Sequence, residues 1–176
     1  MRERVIDIET LSGRMPTFVT HPEQDGPFPP VILYMDIWGL REELFEIARR
    51  VGTVGYYCMV PDLYHRQGKV RHEFRDAENR MISLHALDEE RRQRVVEPGR
   101  KLSNQMVVDD TGAILDFVSR GEPVRPGPVD YRYAVHPGAQ HGYALPNRDI
   151  FDARAAARDW EQIFAMFHRR IPAYRT

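Results

Sequence analysis

The residues most able to do chemistry lie in Pro137-Gly138-Ala139-Gln140-His141-Gly142-Tyr143, which follows the apolar run Tyr131 to Val135. A histidine on a glycine-bracketed loop after a strand is where an α/β enzyme holds a general base. The glycines permit the sharp turn that aims an imidazole over the carboxyl edge of a sheet. An ordinary surface turn is the competing reading of the same seven residues. Few groups are available for such a base to activate. Cys58 lies inside the apolar run Tyr56 to Val60, where a thiol is most often a small buried hydrophobe. Ser103 and Ser119 belong to a helix cap and a helix end, and Ser12 to a turn. Asp130 and Asp149 are candidate acids, neither well placed in the chain. His136 and His141, with Asp62 or His65, make a conceivable metal set, but the spacing of the two histidines fits no standard site. No metal or organic cofactor is expected.

Composition narrows the partners. The chain has 176 residues, 42% apolar and 29% charged, enough for one domain with a proper core. A single domain over residues 1–176 is therefore the expectation. The net charge of −1 supplies no electrostatic footprint for nucleic acid or an anionic membrane surface. One cysteine excludes an intramolecular disulfide and a cysteine-built zinc cage. Met1 to Asp7 has no signal-peptide core, and no stretch approaches the ~18 apolar residues of a membrane span, so a cytoplasmic protein is expected.

The elements that must position His141 follow from periodicity. Arg4 to Thr10 and Met15 to Thr20 alternate apolar and polar residues around Ser12-Gly13, which predicts a hairpin at a sheet edge. Val31 to Met35 is a continuous apolar run and predicts a central parallel strand. Leu40, Leu44, Ile47, Ala48 and Val51 recur at helical spacing before the second buried run, Tyr56 to Val60, which completes a βαβ unit. Phe74, Ala77, Met81, Leu84 and Leu87 predict a weak amphipathic helix, with Asp88 to Arg94 solvated, in an excursion over the sheet that is a candidate lid. Ser103 caps a predicted helix that closes at Gly121, Asp130 to His136 predicts a short strand, and Asp152 caps a last helix reaching Phe167.

Five segments, in order, resemble the dienelactone hydrolase family of α/β-hydrolases. They are Gly13-Arg-Met-Pro-Thr-Phe-Val19, Pro29-Pro-Val-Ile-Leu-Tyr-Met-Asp-Ile-Trp-Gly39, Gly55-Tyr-Tyr-Cys-Met-Val-Pro-Asp-Leu-Tyr64, Pro137 to Tyr143, and the helix from Asp152 to Phe167. The resemblance implies an α/β-hydrolase-like fold, a mostly parallel sheet with flanking helices, acting on a small-molecule ester or lactone. It implies that His141 is the base of a nucleophile-His-Asp triad. It implies that the Ile37 N–H, in the turn Met35-Asp36-Ile37-Trp38, is an oxyanion-hole donor. Asp36 stands where the family has an acidic residue near the nucleophile; a helix N-cap or turn residue is its alternative role.

The departure from the family is equally specific. No Gly-x-Ser-x-Gly or Gly-x-Cys-x-Gly elbow lies between Gly121 and His141. Relative to the family a gap falls near 129/130, where about two βα units, roughly 60 to 80 residues, and the central strands they carry are missing. Three readings compete: a protein from which the elbow segment has been removed, a naturally shortened relative, or a homo-oligomer whose neighbours cover the sheet. The first is favoured, because a natural monomer without those strands would leave their neighbours unpaired. The leading expectation is a hydrolase working through a covalent acyl-enzyme, impaired in this chain. The alternative is a non-catalytic small-molecule-binding or interaction protein that kept the pocket and lost the nucleophile.

Overall fold

Arg2–Thr10 (β1) and Gly13–His21 (β2) pair antiparallel, from Arg2 opposite His21 to Thr10 opposite Gly13. Leu11-Ser12 closes this hairpin, and Gly13 takes a φ of 111°, open to glycine at no Cβ cost. The computed structural model describes residues 1–124 and 143–170. They fall into two compact units, one from residues 1–72 and 93–124, the other from 73–92 and 143–170. The expected strand Asp130 to His136 and the loop carrying His141 lie outside the described residues.

In the first unit the sheet order is β1-β2-β4-β3. β4 (Tyr57–Pro61) runs antiparallel to β2, and β3 (Pro30–Ile32) runs parallel to β4. Helix α1 (Glu42–Thr53) joins β3 to β4, so the predicted βαβ unit is present. One expectation is corrected. The run Val31 to Met35 is paired only over Pro30–Ile32, with one further bond from the Leu33 N–H to the Met59 carbonyl at 2.8 Å. Among the described residues β3 is the outermost strand and not a central one. Its apolar run is patterned for two sheet neighbours and has one among the described residues. The segment after the third helix returns to this side, where the Phe28 N–H donates to the Pro123 carbonyl at 2.6 Å.

Side-chain alternation assigns the two faces of the sheet. Phe18 stacks on Phe45 of α1 with ring centroids 4.3 Å apart, and the register places Val60 and Cys58 beside Phe18 and Thr20 on that face. The opposite face carries Ile8, Met15, Val19, Tyr57 and Met59, packed with Ile114 of α3 (Asn104–Ser119). Each such buried side chain contributes about 1.5–3 kcal/mol of transfer free energy. Ser103 caps α3 as expected, its hydroxyl accepting from the Met106 N–H at 3.2 Å. At the amino end of the sheet Arg4 donates to the Tyr57 hydroxyl at 3.1 Å, and both Arg4 and Tyr57 donate to Glu122.

A charged pair ties α3 to the other end of the sheet. Asp110, fully buried, accepts from both terminal nitrogens of Arg66 at 2.8 Å. Arg66 sits on the turn His65–Gln67 just past β4. Taking a carboxylate this far from water is offset only by a partner as closely matched as this fork.

The second unit departs further from the periodicity. The stretch from Phe74 to Leu87 forms no α-helix, only a single 3-10 turn at Leu84–Ala86. The Asp76 side chain accepts from the Glu78 and Arg80 N–H groups at 3.1 and 2.8 Å, and Asn79 takes a φ of 62°. Asp76 therefore folds the chain into a local turn before helical hydrogen bonds can form. Helix α2 (Glu89–Arg100), whose residues from Gln93 on belong to the first unit, begins only where Asp88 accepts from the Arg91 N–H at 2.8 Å. The predicted terminal helix is α4 (Ala153–Arg170), capped by Asp152 through the Ala155 N–H at 2.9 Å.

Asp110→Ala is expected to strip Arg66 of its partner and cost about 3 kcal/mol, the low end for breaking a buried pair. Urea unfolding of variant and parent measures this. A difference below about 0.5 kcal/mol would mean the pair does not hold α3.

Candidate active site

At the carboxyl end of β3 the chain makes a tight turn over Asp36 to Gly39. The Asp36 carbonyl accepts from the Gly39 N–H at 3.1 Å, and its Oδ1 accepts from the Trp38 N–H at 2.9 Å. Gly39 has a φ of 77°, and a Cβ there would meet the Val70 carbonyl at 3.1 Å, so the position favours glycine on two counts. The Ile37 carbonyl accepts from the Tyr64 hydroxyl at 3.3 Å, from a buried side chain just past β4. Two amides of the turn are thus spent. The Ile37 N–H is engaged in no hydrogen bond among the described residues. An unspent amide at the carboxyl edge of a parallel strand can donate to an oxygen that gains negative charge.

The turn is fastened by a buried guanidinium. Arg41 Nη1 donates to Asp36 Oδ1 at 2.7 Å and Nη2 to Oδ2 at 2.9 Å, while Nη1 also reaches the Gly39 carbonyl at 3.1 Å. Its Nε donates to Glu43 Oε2 at 2.6 Å. The side chains of Arg41 and Glu43 are 7% and 4% exposed, that of Asp36 45%. Burial alone would lower the Arg41 pKa, but hydrogen bonds and charge from Asp36 and Glu43 outweigh it and raise it. Both Asp36 oxygens are occupied, so within the described residues Asp36 serves as a turn residue, the alternative role expected for it. Arg41 carries no sequence signal because two of its three partners, Asp36 and Gly39, lie in an irregular turn, and Glu43, two residues on, is not at a helical pairing distance.

The serine and cysteine candidates for a nucleophile can each be located, since all four serines and the cysteine lie among the described residues. Cys58 has 0% exposure, and burial pushes its thiol up to about 12. The Ser103 hydroxyl caps α3, and Ser119 donates to the Asp116 carbonyl at 2.7 Å. Ser12 lies in the hairpin loop, its N–H donating to Thr10. In the second unit Ser83, buried at 4% exposure, gives its hydroxyl to Asp149. That pairing spans 66 residues and could be found only in three dimensions. It also spends Asp149, one of the two candidate acids. None of these five groups stands on a strand-to-helix elbow. His141, His136 and Asp130 lie outside the described residues. Of the other conceivable metal ligands, His65 lies 3.5 Å from Asp110 and Asp62 lies 3.7 Å from Arg71. Among the described residues no three His, Cys, Asp or Glu side chains group to hold a metal.

Comparison with known proteins adds an independent line. The model of the dienelactone hydrolase family matches residues 15–123. A provisionally named carboxymethylenebutenolidase of Methylorubrum extorquens is 34% identical over 65 residues, 37% of this chain and 22% of that protein. One of Escherichia coli K12 is 39% identical over 62 residues, 35% of this chain and 23% of that protein. A third, of Saccharolobus solfataricus, is 27% identical over 117 residues, 61% of this chain and 44% of that protein. The chain thus spans under a quarter of the first two relatives and under half of the third. The fold is similar to the crystal structure of a provisionally named dienelactone hydrolase of Klebsiella pneumoniae, with TM-score 0.72 at 16% identity, covering 96% of this chain and 98% of that one. No described helix is long and apolar enough to cross a membrane.

With its thiol protonated until about pH 12, Cys58 should resist alkylation in the folded protein. Iodoacetamide at pH 8, followed by intact-mass spectrometry, is expected to label it only after denaturant is added. Rapid native labelling would reopen Cys58 as a nucleophile.

Proposed function

The chain belongs to the dienelactone hydrolase family, and from that premise we propose that its site is built to hydrolyse a small lactone or carboxylic ester through a covalent acyl-enzyme. One observation carries the proposal: the turn Asp36 to Gly39, at the carboxyl end of β3, leaves the Ile37 N–H unspent among the described residues while fixing the residues around it. In this reading the Ile37 N–H donates to the substrate carbonyl oxygen as it becomes anionic. One such donor is worth about 10²–10³ in rate. His141, placed by family likeness, takes the proton of the attacking group and returns it to the leaving alkoxide. Asp36 is a fixed polar wall beside the reacting carbon. The substrate is a small neutral or anionic carbonyl compound, and the compartment the cytoplasm. Neither nucleic acid nor membrane is a partner.

A second reading has its own support. Every serine hydroxyl discussed above that could attack is committed elsewhere or placed in a loop, and the thiol is buried. A protein that kept the carbonyl-binding wall and lost the nucleophile would look like this. For the same reason the turnover of this chain is expected to be weak.

Hydrolysis of 4-nitrophenyl acetate by the parent and by His141→Ala separates the two readings. The hydrolase reading expects slow turnover that falls about 100-fold in the variant, the usual scale for loss of a general base. Turnover that His141→Ala leaves unchanged rules out the assigned base. No turnover together with micromolar binding of a small lactone, read by calorimetry, favours the binding protein.

A further inference from the structure

We propose that Arg41 is the positioning residue of this site, setting the Asp36 to Gly39 turn so that the Ile37 N–H remains its unspent donor. The inference rests on the hydrolytic reading above and deepens it. A guanidinium is planar, so its three nitrogens fix three directions at once. Here one edge takes both Asp36 oxygens at 2.7 and 2.9 Å, the Nε side is held by Glu43 at 2.6 Å, and Nη1 also binds the Gly39 carbonyl at 3.1 Å. The first and last residues of the turn are therefore bound by one rigid group. That group is in turn anchored to Glu43 in the first turn of α1, where acidic side chains are favoured by the helix dipole.

The consequence for the site is local. The Asp36 carboxylate caps the Trp38 N–H through Oδ1, the same oxygen Arg41 holds. If the guanidinium is lost, the carboxylate keeps one backbone partner and faces solvent on its exposed side, so it is free to rotate away. The turn can then re-form with different amides satisfied, and the Ile37 N–H is no longer singled out. Lysine cannot substitute fully, because an ammonium is a point charge and cannot span both oxygens, Gly39 and Glu43 together.

The test uses the full chain with Arg41→Met, which matches the length of the side chain, and Arg41→Lys, which keeps its charge. Amide hydrogen exchange by NMR is read at Trp38 and Gly39, with Met59 in the core as the reference. Arg41→Met is expected to lower protection at Trp38 and Gly39 about tenfold while Met59 is unchanged, as a local opening requires. Arg41→Lys is expected to fall between. In parallel, kcat for 4-nitrophenyl acetate should fall by about the factor assigned to an oxyanion donor with KM within about twofold, and Arg41→Lys should recover part of it. Unchanged protection at Trp38 overturns the proposal. So does an equal loss at Met59, which would make Arg41 a general stabiliser, or a loosened turn with kcat intact. If the parent itself shows no turnover, the hydrolase reading fails and the exchange comparison alone decides whether Arg41 sets the turn.

Discussion

Cys58, Met59 and Val60 take backbone partners from β2 on one side, and the first two from β3 on the other, while their side chains alternate between the α1 layer and the α3 layer. All five residues of β4 are buried. A strand buried on both faces has little room for polar groups, which is why this stretch reads Tyr-Cys-Met-Val-Pro, with its one hydroxyl, on Tyr57, partnered by Arg4 and Glu122. It is also why the one thiol is inert. Everything that matters chemically in the first unit begins where this strand and β3 end. There the backbone leaves the sheet, and polar side chains can again find partners.

Those partners are notably ionic. Arg41 with Asp36 and Glu43, and Arg66 with Asp110, are two guanidinium forks at the ends of adjacent strands. A charge taken out of water is costly unless it is matched in geometry. Matched pairs therefore hold loops in one arrangement where apolar packing would accept several. The two forks do different work. Arg66 ties a helix to the sheet, and Arg41 sets the shape of a turn.

Legibility in the sequence followed locality. The hairpin, α1, β4, α3 and α4 were readable because alternation, helical spacing and caps at Ser103 and Asp152 are short-range signals. The stretch from Phe74 to Leu87 misled for the same reason. Its apolar spacing is helical, but the Asp76 side chain competes for the backbone amides and prevails. β3 was readable in type, and its place at the edge among the described residues was not, since a strand's position depends on neighbours elsewhere in the chain. At the site, the roles of Asp36 and Ile37 were expectations carried by the family resemblance, and what the described residues add is the turn that holds them. The Arg41 fork and the Ser83–Asp149 pair were not, because such partners are fixed only in three dimensions.

The triangle of Arg4, Tyr57 and Glu122 bears on the order of folding. Arg4 and Glu122 are 118 residues apart in the chain, whereas the hairpin that carries Arg4 closes over two. Closing a long loop costs entropy before any contact rewards it, so such pairings form late. The β1–β2 ribbon can therefore assemble early, while the seal at its amino end waits until the chain beyond α3 has been made. During synthesis the emerging sheet passes through a stage with its first strand in register and its far corner still open.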